Sequence, residues 1–226
     1  TLLSILSATA FVSAQQGPGL VISEILPNPA GTDSPFEFVE LVATRTINFA
    51  TTPYSVVVCN NGTATTSGWI NGGTISYGFS ITSGTVNAGD VVYVGGSGIV
   101  VAGQVLRSIN TGTTNGDQFG TFNTSGVMGN GGSNADGVAV FDQPIASITN
   151  ATVPVDAIFF GTGFGSALVN SGADGYQLPV NDLYAGGKLQ STSFLGPDPG
   201  STQYIVATGT FNPTTGAFTT GRTLAL

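Results

Sequence analysis

Residues 20–43 read LVISEILPNPAGTDSPFEFVELVA, and this stretch decides the fold. Its two ends, Leu20–Ile25 and Phe36–Val42, are short apolar runs rich in β-branched and aromatic residues, the composition that suits a half-buried pleated strand. Between them stand Pro27-Asn28-Pro29, Gly31 and Asp33. Proline cannot donate to a sheet ladder, and Asn, Asp and Gly accept the backbone conformations of tight turns, so the middle is a connection. The segment therefore predicts two strands joined by a loop. If the two strands pair, Glu24 comes beside Glu37 and Glu40.

The same pattern recurs along the chain. Further strands are expected at Tyr54–Cys59, Thr74–Ile81, Val91–Val94, Ile99–Leu106, Val138–Phe141, Val155–Phe160, Ser191–Leu195 and Gln203–Thr210, with no helix of any length. Asn61-Gly62, Asn71-Gly72-Gly73, Asn115-Gly116-Asp117 and Asn130-Gly131-Gly132 supply turn residues that tolerate positive φ. Many short strands with such punctuation mean an all-β protein, an antiparallel sandwich or barrel. The expected core includes Val21, Ile25, Phe38, Val56, Val58, Val92, Val140 and Ile158. The Gly-rich stretch Asn110–Ala135 reads as one long loop.

The chain has 226 residues, enough for a sizeable core. Only 7% are charged, against roughly 25% in ordinary domains, while 41% are hydrophobic. That balance is the reverse of disorder. The polar surface must be built from Thr, Ser, Asn and Gly, in the style of extracellular β proteins. Net charge is −8, and Arg45, Arg107, Lys188 and Arg222 are the four cations. Nucleic-acid binding rests on Lys and Arg neutralising phosphates, so this chain is not expected to bind DNA or RNA, and an acidic membrane surface would repel it. The single cysteine, Cys59, excludes an intrachain disulfide and reads as a small buried hydrophobe within Val56-Val57-Val58-Cys59.

Thr1–Gln16, TLLSILSATAFVSAQQ, is an uncharged apolar segment set apart from the domain Gly17–Leu226. Val12-Ser13-Ala14 fits the small-x-small pattern of signal-peptidase cleavage, so the segment resembles the latter part of a secretory signal. It also alternates from Leu6 onward as a strand would. The second reading is an assembly arm that adds a strand to a neighbouring copy. It is too short to span a membrane, which takes about 20 residues.

Residues 20–43 also resemble the opening of a bacterial lamin tail domain. Ser23-Glu24 stands where that family ends its first strand, Pro27-Asn28-Pro29 and Asp33 follow as its loop, and Glu37-Phe38-Val39-Glu40-Leu41 is similar to its second strand. Residues 87–94, NAGDVVYV, and 134–141, NADGVAVF, are weaker matches, and Gly68-Trp69-Ile70-Asn71 departs from the family's pattern. The resemblance covers about Leu20–Phe160. It implies an immunoglobulin-like sandwich, non-catalytic and exported, with the tail from Asn170 to Leu226 as an extension.

The chain contains no histidine, which removes Ser-His-Asp and Cys-His machinery and His-ligated metals. A carboxylate pair is what remains for catalysis. Glu37 and Glu40 are closest in sequence, but three residues apart on a strand they point to opposite faces. They read instead as a sheet-edge charge and a loop-anchoring acceptor. Asp33, Glu37, Asp174 and Asp182 lie in or beside loops and are the candidate ligands for a structural calcium, which takes such oxygens. No other cofactor is expected. Asn61, Asn123 and Asn150 open glycosylation sequons.

The expected function is thus that of a non-catalytic extracellular structural protein, a subunit of a surface layer, sheath or filament that associates with copies of itself. The alternative is an accessory module of a secreted hydrolase system that binds carbohydrate or protein. For that role Trp69, Tyr77, Tyr93, Tyr176, Tyr184 and Tyr204 are the candidate stacking residues, though most of them are expected in the core. An exposed aromatic platform favours the alternative.

Overall fold

The computed structural model describes residues 18–33, 36–59, 67–70, 75–96, 105–109, 118–119, 128–129, 135–161, 175–184, 187–188, 196–197 and 199–226. Residues 1–16, Asn61, Asn123, Asp174 and the expected strand at 191–195 lie outside them.

In chain order the strands are β1 (Leu20–Leu26), β2 (Phe38–Ala43), β3 (Ile47–Asn48), β4 (Tyr54–Cys59), β5 (Ile75–Ile81) and β6 (Thr85–Val86). They continue with β7 (Val91–Gly96), β8 (Val105–Ile109), β9 (Gln118–Phe119), β10 (Asp136–Phe141), β11 (Asp156–Phe160) and β12 (Gln177–Leu178). The last are β13 (Gly187–Lys188), β14 (Ile205–Thr208), β15 (Phe211–Asn212), β16 (Ala217–Phe218) and β17 (Thr223–Ala225). One 3-10 turn, Ile145–Ser147, is the helical element among the described residues, and no described helix is long and apolar enough to cross a membrane.

The fold is an all-β sandwich. A six-stranded sheet runs β17-β14-β1-β2-β7-β8 and a five-stranded sheet runs β11-β10-β4-β5-β9. Leu20, Ile22, Ile25, Val39, Leu41, Val92 and Ile205 of the first sheet interdigitate with Val56, Val58, Phe79, Val138, Val140 and Ile158 of the second in one buried cluster. Truncating any one of these side chains to Ala should cost about 2–5 kcal/mol, the transfer and cavity cost of a core position.

The back of the five-stranded sheet is covered as well. Val57, Cys59, Ala139, Phe141, Ala157 and Phe159 point away from the sandwich core and pack under Trp69, Tyr176, Leu178 and Tyr184. Strands β4, β10 and β11 are therefore buried on every residue, which is why their sequences are continuous apolar runs and not alternations. Cys59 is free and buried, as expected of a small hydrophobe. Burial is the main reason its thiol titrates above the ordinary value.

Four expectations need correction. Phe36 is not in a strand: it is exposed in a turn in which Phe36 N and Glu37 N both donate to Asp33 O, at 2.8 and 3.0 Å, so β2 begins at Phe38. Val21 and Phe38 are buried, as expected, but outside the sandwich core cluster. The cause in β1 is a register shift between Ile22 and Glu24: the extra residue, Ser23, lets Ile22 and Ile25 both face inward and reverses the alternation. The expected loop Asn110–Ala135 contains β9, which pairs with Gly78 and Phe79 of β5. Finally, the pairing is not antiparallel throughout, since β7 and β8 run parallel.

Candidate functional site

The register of the six-stranded sheet sets up its outer face. Glu24 of β1 stands opposite Val206 of β14 on one side and Glu40 of β2 on the other, and Glu40 stands opposite Tyr93 of β7. Residues two apart on a strand share a face, so the next row holds Leu26 opposite Phe38. Tyr204, immediately before β14, completes the patch. Its ring centroid lies 6.0 Å from that of Phe38, and Tyr93 meets Phe38 edge-on at 5.4 Å. Glu24, Glu40 and Tyr93 are half-buried and Tyr204 is 43% exposed, in contrast to the aromatic layer sealed behind the other sheet.

The two carboxylates sit in different surroundings. Glu40 is an acceptor at both oxygens: the hydroxyl of Ser23, freed by the bulge, donates to Oε1 at 2.7 Å, and the Tyr93 hydroxyl donates to Oε2. Glu24 is held above the ordinary carboxylate value first by burial and then by the charge of Glu40. Burial, followed by the hydrogen bond to Glu40, likewise raises Tyr93. Like charges facing each other across paired strands oppose folding.

Of the candidate stacking residues, Trp69, Tyr77, Tyr176 and Tyr184 are core. Trp69 Nε1 donates to Gln177 O of β12 at 3.0 Å, joining two covering segments, and the Tyr184 hydroxyl accepts from Phe159 N of β11 at 2.8 Å, which anchors its segment to the five-stranded sheet. Tyr93 and Tyr204 remain on the surface, and they are neighbours. Phe38, which joins them, is buried, as expected.

The candidate calcium ligands are not gathered by the structure. Glu37, just before β2, is fully buried and anchors a loop by accepting from Met128 N at 3.2 Å. Asp33 sits in the turn before it, raised by burial. Asp182 instead pairs with Arg222 at 2.9 Å, and Asp174 is outside the described residues. Among the described residues no three Asp, Glu or Cys side chains stand close enough to hold a metal ion.

Arg222 belongs to a network that sequence gave no means of finding. Its guanidinium donates to both oxygens of Asp156 at 2.9 and 3.0 Å, to Asp182 and to Ile22 O, while Asp156 accepts from Ile22 N at 2.8 Å and from Asn181 Nδ2 at 2.8 Å. Burial pulls the guanidinium down, but Asp156 and Asp182 more than offset it and hold Arg222 above its ordinary value. The β1–β14 ladder pairs Glu24 and Ile25 but not Ile22. The side-chain pair thus satisfies the backbone of Ile22 where the ladder stops, and ties the two sheets together. Beside it opens a cleft of about 600 Å3 lined by Val21, Val155, Val180, Phe218 and Arg222.

The chain matches no family model, no curated protein and no solved structure. Its chemistry is therefore read from its own side chains. Among the cleft's polar groups, Arg222 pairs with Asp182 and Asp156, and Asn181 donates to Asp156, which marks it as a joint in the fold. The outer-face patch offers an aromatic edge and two carboxylates within reach of solvent. That combination can stack against the face of a ring and accept hydrogen bonds from its hydroxyls.

Proposed function

We propose that this protein is a non-catalytic extracellular module that binds polysaccharide on the outer face of the six-stranded sheet. The observation that carries the reading is the placement of the accessible rings of Tyr204 and Tyr93, joined through the buried Phe38, beside the half-buried Glu24 and Glu40. The resemblance of residues 20–43 to lamin tail domains supports an exported, non-enzymatic role. So does the composition, which contains no histidine and offers a Thr/Asn/Gly surface. Binding through the accessory surface is preferred to self-assembly because the absent histidine and the Thr/Asn/Gly surface suit both readings, and the apolar arm that favours assembly lies at residues 1–16, whereas the aromatic patch is formed within the described sandwich.

The test is affinity electrophoresis of the protein through gels containing soluble polysaccharides of neutral, acidic and amine-bearing types. At least one should retard the wild type, and Tyr204→Ala should migrate as in a gel without polysaccharide. Tyr204 is 43% exposed, so its removal should leave the fold intact. Retardation unchanged in Tyr204→Ala, or absent for every polysaccharide, would overturn the reading.

A further inference from the structure

We infer that the ligand of this face carries free amines, and that it is an amino-sugar polysaccharide whose ammonium groups sit between Glu24 and Glu40 while its rings lie on Tyr204 and Tyr93. This rests on the polysaccharide reading and names its substrate class.

The argument is one of charge complementarity. Glu24 and Glu40 are direct partners in the β1–β2 register, so their Cβ atoms are about 4.5–5.5 Å apart and the carboxylates repel. Glu40 is held in place in this pair, since the hydroxyls of Ser23 and Tyr93 both donate to its carboxylate. Of the cations, Arg45 and Arg222 have described side chains, and neither is paired with these two carboxylates. Arg45 donates to the Tyr54 hydroxyl and Arg222 is enclosed by Asp156 and Asp182. With Lys and Arg together numbering four in a chain of net charge −8, an internal counter-charge is scarce.

A cation from outside would meet both carboxylates and, in the same place, aromatic rings. Tyr and Phe faces attract ammonium groups through the ring quadrupole, and the attraction grows as water is excluded. The two rows of the face match this division: the Val206–Glu24–Glu40–Tyr93 row carries the charge, and beside it the exposed ring of Tyr204, seated on the buried Phe38, carries the apolar surface. A sugar chain with an amine on each ring presents apolar ring faces flanked by cations, which fits both rows at once. A neutral chain would leave the carboxylate repulsion in place.

The experiment is calorimetric titration of the folded protein with a short β-linked glucosamine oligomer and with its fully N-acetylated counterpart, in the same buffer and salt. The expected result is at least about tenfold tighter binding of the amine form. Glu24→Gln/Glu40→Gln should bring the two affinities within about twofold of each other. That double variant removes a repulsion, so it should fold, and its thermal midpoint confirms that it does. Tyr204→Ala should weaken both oligomers by the same factor. Equal binding of the two oligomers by wild type overturns this inference and leaves the polysaccharide reading standing, and binding of neither overturns both. Preference for the amine form that survives in the double Gln variant, or tighter binding of a lysine-rich peptide than of the amino sugar, also overturns it.

Discussion

Replacing Arg222 by Met tests the joint between the two sheets. Met keeps most of the stem's volume and removes every donor. Asp156, fully buried, then loses its only ion-pair partner among the described residues, and Ile22 O loses a donor. Breaking a buried ion pair by removing one member typically costs about 3–5 kcal/mol, because the remaining charge is left uncompensated. Here Asp156 keeps two neutral donors, Ile22 N and Asn181 Nδ2, so the lower end applies, about 3 kcal/mol. Asp182, whose side chain is 27% exposed, forms the outer arm of the network, and Asp182→Ala should cost no more than about 1 kcal/mol. Urea unfolding followed by the fluorescence of the single Trp69 gives both numbers. The double variant Arg222→Met/Asp156→Asn should lose less than the sum of its single variants, by about 1–3 kcal/mol, because no charge remains stranded. A loss below about 1 kcal/mol in Arg222→Met, or strict additivity, would refute the claim that this pair holds the sheets together.

Three further outcomes follow from the same geometry. Glu24 has a folded-state value raised above the ordinary 4.5, so the folded state holds its proton longer than the unfolded chain does. Its contribution opposes stability increasingly as pH rises from 4.5 through the folded value, and is absent below 4.5; Glu24→Gln should flatten that part of a stability-against-pH curve and raise stability at neutral pH by about 0.2–1 kcal/mol. Gly137→Ala would place a Cβ 2.7 Å from a Phe159 ring carbon and 2.9 Å from Cys59 Sγ, in a layer closed on both sides, and should cost about 1–3 kcal/mol in the same urea assay. Cys59, buried and with its thiol pushed up by burial, should react with a thiol reagent only at the rate of unfolding, and fast labelling in the native state would contradict its placement.

How far the fold could be read in advance depended on how local its causes are. Strands β1, β2, β4 and β10 are bounded by proline, glycine and asparagine turns, and these signals lie within a few residues of the strands they delimit. The bulge at Ser23 has no such signal. It is fixed by the need to bring Ile22 and Ile25 onto the same face while Glu24 and Glu40 stay outside, a tertiary requirement that alternation alone assigns wrongly for Val21. The short strands β15, β16 and β17 follow Thr210 in a segment of Thr, Gly and Pro that carries almost no apolar period.

The site shows the same division. That Glu24 would meet Glu40 was legible, because the two strands are joined by one short loop. Which aromatics face water was not: Trp69 and Tyr204 are both amphipathic rings near glycines, and only the segment covering the five-stranded sheet decides that the first is buried and the second is not. The pairing of Arg222 with Asp156 spans 66 residues and leaves no mark in either neighbourhood. Asp182 likewise pairs with Arg222 across 40 residues, which nothing in its own neighbourhood signals.

The central claim is that the outer face of the six-stranded sheet is the binding surface, and backbone chemical-shift mapping during titration with an amino-sugar oligomer tests it most directly. The account predicts perturbations concentrated at Glu24, Leu26, Phe38, Glu40, Tyr93, Tyr204 and Val206, with Trp69, Tyr176 and the Arg222 cleft unmoved. Perturbations centred on Val180, Phe218 and Arg222 instead, or none at a saturating ligand concentration, would contradict it.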